Sequence, residues 1–99
     1  MAWLEPIEEN VRNEAVAVGT TAVLISPAHK RREIIISNSS SGAHKITLAV
    51  GNVAVAGAGI LLPPFSTWYG SANSEFKVTD LAIYAISDLA AGQLSVFER

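Results

Sequence analysis

Twenty-one residues, Arg31 to Gly51, constrain this chain most: RREIIISNSSSGAHKITLAVG. Two apolar runs, Ile34-Ile35-Ile36 and Ile46-Thr47-Leu48-Ala49-Val50, flank a polar spacer from Ser37 to His44. β-Branched residues lose rotamer freedom in a helix and pack well on a pleated surface, so both runs favour strand. Asn, Ser and Gly in the spacer supply the local hydrogen bonds and permissive backbone of a turn. Folded symmetrically, the stretch is a hairpin with Ile36 opposite Ile46 and Ile34 opposite Leu48. Burial would fix its register, because a one-residue slip turns all four side chains outward.

Length allows one domain. Ninety-nine residues suffice for a single core burying roughly 60–68% of the unfolded surface. The net charge of −2 argues against a general nucleic-acid or anionic-membrane binder. Charge is unevenly placed: Glu5, Glu8, Glu9 and Glu14 face Arg12 alone in residues 1–14, whereas Lys30, Arg31, Arg32 and Lys45 face only Glu33. There is no cysteine, hence no disulfide, and no reading of redox compartment. The acidic N-terminus lacks the apolar segment of a signal peptide. Ile46 to Ser74 carries no charge, but Gly51-Asn52, Gly57, Gly59 and Pro63-Pro64 interrupt it. A spanning helix wants about 20 mainly apolar residues, so successive buried strands are the better account and no membrane span is expected.

Residues 1–14 stand apart as an N-terminal arm, with 15–99 the β-domain. Trp3, Ile7 and Val11 recur every four residues, as on one face of a short helix. With Leu4 they form an apolar set outside the strand pattern, suited to docking. Val16 and Val18 alternate with alanines up to Gly19; Thr21 to Ile25 resumes the pattern until Ser26-Pro27. That is two short strands, or one bent at Gly19. Val53-Ala54-Val55 reads as a brief return strand, Ile60 to Leu62 as a strand ended by Pro63-Pro64, and Phe65 to Gly70 as another. Thr79 to Phe97 is ambiguous, since Asp80 could cap a helix ending at Gly92. Ile83, Tyr84 and Ile86 favour strand instead, followed by a turn from Asp88 to Gly92 and a last strand with Leu94 and Val96 inward.

No catalytic constellation is legible, and neither a metal site nor a cofactor is expected. His29 and His44 are the only histidines and read as solvated loop residues, since structural zinc usually needs four ligands. No serine lies in a G-x-S-x-G elbow, and Gly57-x-Gly59 has Leu62 where a dinucleotide fingerprint needs glycine. Two surface candidates remain. Lys30-Arg31-Arg32 reads as a charged guard leading into a strand, with a complementary acidic partner, such as a neighbour's arm, as the other option. Trp68-Tyr69, with Phe65 nearby, is either core and subunit-interface packing or a sugar-stacking loop; the first is preferred.

The order of features from Val16 to Glu98 resembles a group of small virion proteins of tailed phages and viruses. The matching features are VGTTAVLISPA, the Arg-Arg pair opening RREIIISN, the L-x-x-G strand end at Leu48 to Gly51, the G-I-x-L-x-P segment at Gly59 to Pro64, and the close AIYAISDLAAGQLSVFE. Where such chains carry glycines after the proline, this one has Phe65, Ser66, Thr67 and Trp68. The resemblance implies an all-β, jelly-roll-like antiparallel β-sandwich made in a host cytoplasm and built into the virion as a decoration, tail or fibre part. It implies no enzyme activity. The expected partners are copies of the chain, with a trimer as the guess, and other virion proteins. The expected interface residues are Trp3, Leu4, Ile7, Val11, Arg31 and Arg32, together with Phe65, Trp68 and Tyr69. Host attachment through a glycan at Trp68-Tyr69 is the alternative.

Overall fold

The computed structural model describes residues 11–71 and 78–99. It contains eight strands: β1 (Arg12–Val18), β2 (Val23–Ser26), β3 (Glu33–Asn38), β4 (Ile46–Val50), β5 (Ile60–Leu62), β6 (Thr67–Ser71), β7 (Ile83–Ser87) and β8 (Gly92–Glu98). Each is short, and most show the period-2 burial of a strand with one face in a core, as in Ile34, Ile36 and Asn38 of β3. The expected strand, turn and strand after Thr79 are present, with Leu94 and Val96 inward and fully or almost fully buried.

The pairing is a nested set. β1 pairs with β8, β2 with β7, β3 with β6 and β4 with β5, all antiparallel. That is one long antiparallel ribbon, folded at the β4–β5 connection. Two further pairings, β3 with β8 and β4 with β7, wind the ribbon into two four-stranded sheets. Their orders are β1-β8-β3-β6, here sheet A, and β2-β7-β4-β5, here sheet B. Two antiparallel sheets wound this way form a jelly roll. The core between them comes from Val18, Ile34, Ile36, Leu94 and Val96 of sheet A and Ile25, Ile46, Leu48, Leu62, Ile83 and Ala85 of sheet B.

The central hairpin is not there. β3 lies in sheet A and β4 in sheet B, so Ile36 pairs with Trp68 and Val96, and Ile46 with Leu62 and Ser87. The spacer crosses between the sheets. Ile34, Ile36, Ile46 and Leu48 all reach zero exposure, because a hairpin face and two opposed sheet faces bury the same residues. Burial periodicity cannot tell the two arrangements apart.

Other expectations are corrected locally. β1 begins at Arg12 and pairs from there, so residues 12–14 belong to the sandwich and not to an arm. Trp3, Leu4 and Ile7 lie outside the described residues. Val53 to Val55 is no strand: Val53 and Val55 are both 62% exposed, and Val55 makes only an isolated bridge to Ala58. That loop turns back against β4, where Gly57 N–H donates to Thr47 Oγ1 at 3.1 Å. At Gly59 an added Cβ would stand 2.4 Å from the Leu48 carbonyl oxygen, so this close approach admits no side chain.

Candidate functional site

Both ends of the sandwich hold buried polar groups, and the first is ionic. β8 carries its inward alternation one step past Leu94 and Val96, which puts the Glu98 carboxylate into the core edge with 3% side-chain exposure. Arg31, from the β2–β3 connection, covers it with a fully buried side chain. Arg31 Nε donates to Glu98 Oε1 at 2.8 Å. Its Nη1 donates to the Thr79 and Leu81 carbonyls at 2.7 and 3.0 Å. Nη2 donates to Ser26 Oγ and the Pro27 carbonyl at 2.8 and 2.9 Å. All five guanidinium N–H groups therefore have an acceptor.

Glu98 is equally occupied. Ser26 Oγ lies 3.0 Å from both carboxylate oxygens, and His29 Nε2 lies 3.1 Å from Oε1. Arg12, its register partner on β1, ion-pairs Oε2 at 2.5 Å and also donates to the Ile25 carbonyl at 3.0 Å. Burial by itself would raise the Glu98 pKa, but hydrogen bonds from Arg12, Arg31 and Ser26 and the Arg31 charge outweigh it and hold the carboxyl below its ordinary value. Burial likewise works against the Arg12 cation, yet its bonds to Glu98 and Glu14 raise its pKa. A cleft of about 250 Å³ opens beside the cluster between Val11, Arg12, Pro27, His29 and Glu98.

The opposite end is neutral. Asn38 closes the inward alternation of β3, and its Nδ2 donates to the His44 and Leu62 carbonyls, both at 2.9 Å. Its Oδ1 accepts from Ser40 N–H at 3.1 Å, so both amide protons and the amide oxygen are used. Ser40 Oγ accepts from Gln93 N–H at 2.9 Å. His44 is 8% exposed, not solvated as expected, and its ring packs near Gly42 and Gly92. Its Nε2 lies 2.7 Å from the Ala90 carbonyl. A carbonyl only accepts, so Nε2 carries the proton. Nδ1 is buried with no hydrogen-bond partner among the described residues.

Those of the expected interface residues that lie among the described residues do not form one surface. Arg31 is buried in the ionic cluster, which corrects its reading as a surface guard, while its neighbour Arg32 is exposed. Val11 is 53% exposed at the same end. Trp68 and Tyr69 lie in β6, not in a loop, and alternation sends them to opposite faces. Trp68 packs against the core, in agreement with the core reading, and Tyr69 stands 50% exposed on the outside of sheet A. No joint stacking platform results. Phe65 is at the opposite end in the β5–β6 turn, 80% exposed and with φ of 63°.

A surface that the expected residues missed is the outer face of sheet B. In register, Leu24, Tyr84 and Ala49 form one row and Ile86, Thr47 and Leu61 the next. None of the six is charged. Beside them lies a groove of about 320 Å³ lined by Thr47, Ala56, Gly57, Leu61 and Pro63, with Lys45 and Asp88 on its rim. The two corresponding rows of sheet A, Asn13, Phe97, Ile35 and Tyr69, then Ala15, Ser95, Ser37 and Thr67, are also uncharged, and that face differs in carrying Glu33, ion-paired to Arg99 at 2.7 Å.

Among the described residues no group of three or more His, Cys, Asp or Glu is placed to hold a metal ion. No helix among them is long and apolar enough to cross a membrane. Comparison with known proteins finds no matching family model, no similar curated protein and no similar solved structure.

Proposed function

We propose that this chain is a non-enzymatic structural component of a virus or phage particle, which self-associates through apolar surface. The observation that carries the reading is the uncharged outer face of sheet B. Exposed apolar surface beyond scattered single residues generally marks a contact; here Leu24 pairs with Tyr84, Ile86 follows on the same strand face, and Leu61 stands across Thr47, which is itself buried under the Gly57 turn. The composition points the same way, at 49% hydrophobic and 16% charged. The buried ionisable groups also have structural employment: each Arg31 donor and both Glu98 oxygens serve to tie β2, β8 and the segment before β7 together. The particle assignment rests on the sequence resemblance and on the jelly roll, a fold that capsid and lectin domains both use. Fold alone does not assign function.

Two measurements test the reading. Sedimentation at micromolar concentration should give a species heavier than the 10.5 kDa chain, at both low and high salt. Mass spectrometry of purified particles from the encoding virus should find the chain in near-stoichiometric amount with the other particle proteins. A monomer throughout, with no copy in particles, overturns the proposal; retention by a glycan array would then assign an attachment module instead.

A further inference from the structure

We infer that Phe65 is a knob for a twofold contact with a second copy, received by the groove on the outside of sheet B. This rests on the self-association proposed above and names the surface that performs it. Among the described residues, Phe65 is the most exposed of the large apolar side chains, at 80%. It sits at φ of 63°, a left-handed conformation that a bulky L residue adopts only with strain. Three bonds hold the turn there: Phe65 N–H to the Asn38 carbonyl at 3.1 Å, and Ser66 N–H and Oγ to the Pro63 carbonyl at 3.1 and 2.7 Å. The fold thus fixes an aromatic ring in water at a position where glycine would be the relaxed choice.

The groove lies two residues away, since Pro63 forms part of its wall. A knob beside its own matching hole cannot fill it from the same turn but can fill it in a neighbour. With a twofold axis near Pro63, each Phe65 enters the partner's groove and the contact closes on itself. The rim is self-complementary in charge. Lys45 and Asp88 are adjacent, with Asp88 Oδ1 accepting from Lys45 N–H at 2.8 Å. The same axis sets each Lys45 ammonium against the partner's Asp88. Area makes the knob necessary. Four strands about 4.8 Å apart, of four, five, five and three residues at about 3.4 Å each, give a flat footprint of roughly 280 Å², well short of about 800 Å² per partner in a standard interface. Phe65 and the groove walls must supply much of the remainder. The contact is a twofold one, in place of the trimer guessed from the resemblance.

The decisive variant is Phe65→Gly in the full chain, because glycine relaxes the φ that phenylalanine strains, so loss of fold does not confuse the result. Sedimentation equilibrium should show dimer dissociation weakened by at least about 30-fold, as for an aromatic anchor at an interface centre, with a melting temperature of the dissociated chain that is unchanged or higher. Lys45→Glu should weaken it by about tenfold, and added salt should reduce that difference. A wild type that associates while Phe65→Gly associates equally well overturns this surface and leaves self-association standing. A wild type that stays monomeric up to high micromolar concentration overturns both.

Discussion

The two ends of the sandwich solve one problem with different chemistry. At each, a polar side chain of sheet A closes the gap to sheet B with its own hydrogen-bonding atoms paired, although the amide end leaves the neighbouring His44 Nδ1 buried without a partner among the described residues. At one end Glu98 meets Ser26 of β2 directly and is covered by Arg31, a cation with five satisfied donors. At the other, Asn38 ties β3 to the Leu62 and His44 carbonyls through a neutral amide. The amide carries only the desolvation of dipoles, whereas the ion cluster carries that of charges and depends on every partner being in place. The ionic end should therefore be the more fragile to truncation and the only one tied to the Glu98 titration.

Breaking the ionic end should have the largest effect. Arg31→Ala strips a partner from a buried carboxylate and leaves the Thr79, Leu81 and Pro27 carbonyls without their donor. A loss of about 3–5 kcal/mol is expected, measured by urea unfolding at neutral pH. Asn38→Ala should cost less, about 1–3 kcal/mol, although it orphans two carbonyls and the Ser40 N–H. Equal losses at the two ends would erase the distinction between ionic and amide closure.

Acid should sharpen the contrast. The Glu98 carboxyl titrates below its ordinary value in the folded chain, so the unfolded chain binds that proton more tightly. Its contribution is complete above the unfolded carboxylate pKa of about 4.3 and disappears as pH falls through the lower folded value. Urea midpoints of the wild type should thus fall as pH drops below the ordinary carboxylate range. Glu98→Gln, less stable at pH 7, should show a flatter acid limb, and Asn38→Ala should keep the wild-type slope. A Glu98→Gln limb as steep as the wild type would place the acid sensitivity elsewhere.

The smallest effect concerns the turn beside His44. Ala91 has φ of 63°, a conformation that costs an L residue roughly 1–2 kcal/mol. Glycine loses part of that advantage through its freer unfolded chain, so Ala91→Gly should stabilise by about 0.5 kcal/mol, read as a small rise in melting temperature. The same substitution leaves the ionic end untouched, and its acid limb should not change.

Sequence by itself determined that the chain is all-β, and largely which residues face the core. β-Branched runs at period 2, cut by Gly, Pro and Asn, leave few other ways to bury Ile34, Ile36, Ile46, Leu48, Leu94 and Val96. Extending that period also reaches Asn38 and Glu98, the two inward polar residues on which the ends are built, although the reading of Ser37 to His44 as a turn leaves Asn38 outside the strand. Their partners were not legible. Arg31 lies in a connection outside any strand period, and its acceptors are mostly backbone carbonyls, which every sequence has. Phe65 could be read as a candidate, but its φ and its distance from Tyr69 and Arg31 could not. Tertiary structure alone decided that β3 and β4 face each other across the core instead of pairing. Inward-facing periodicity records which side chains leave water, whereas strand pairing is a choice among backbone partners whose hydrogen bonds are chemically alike.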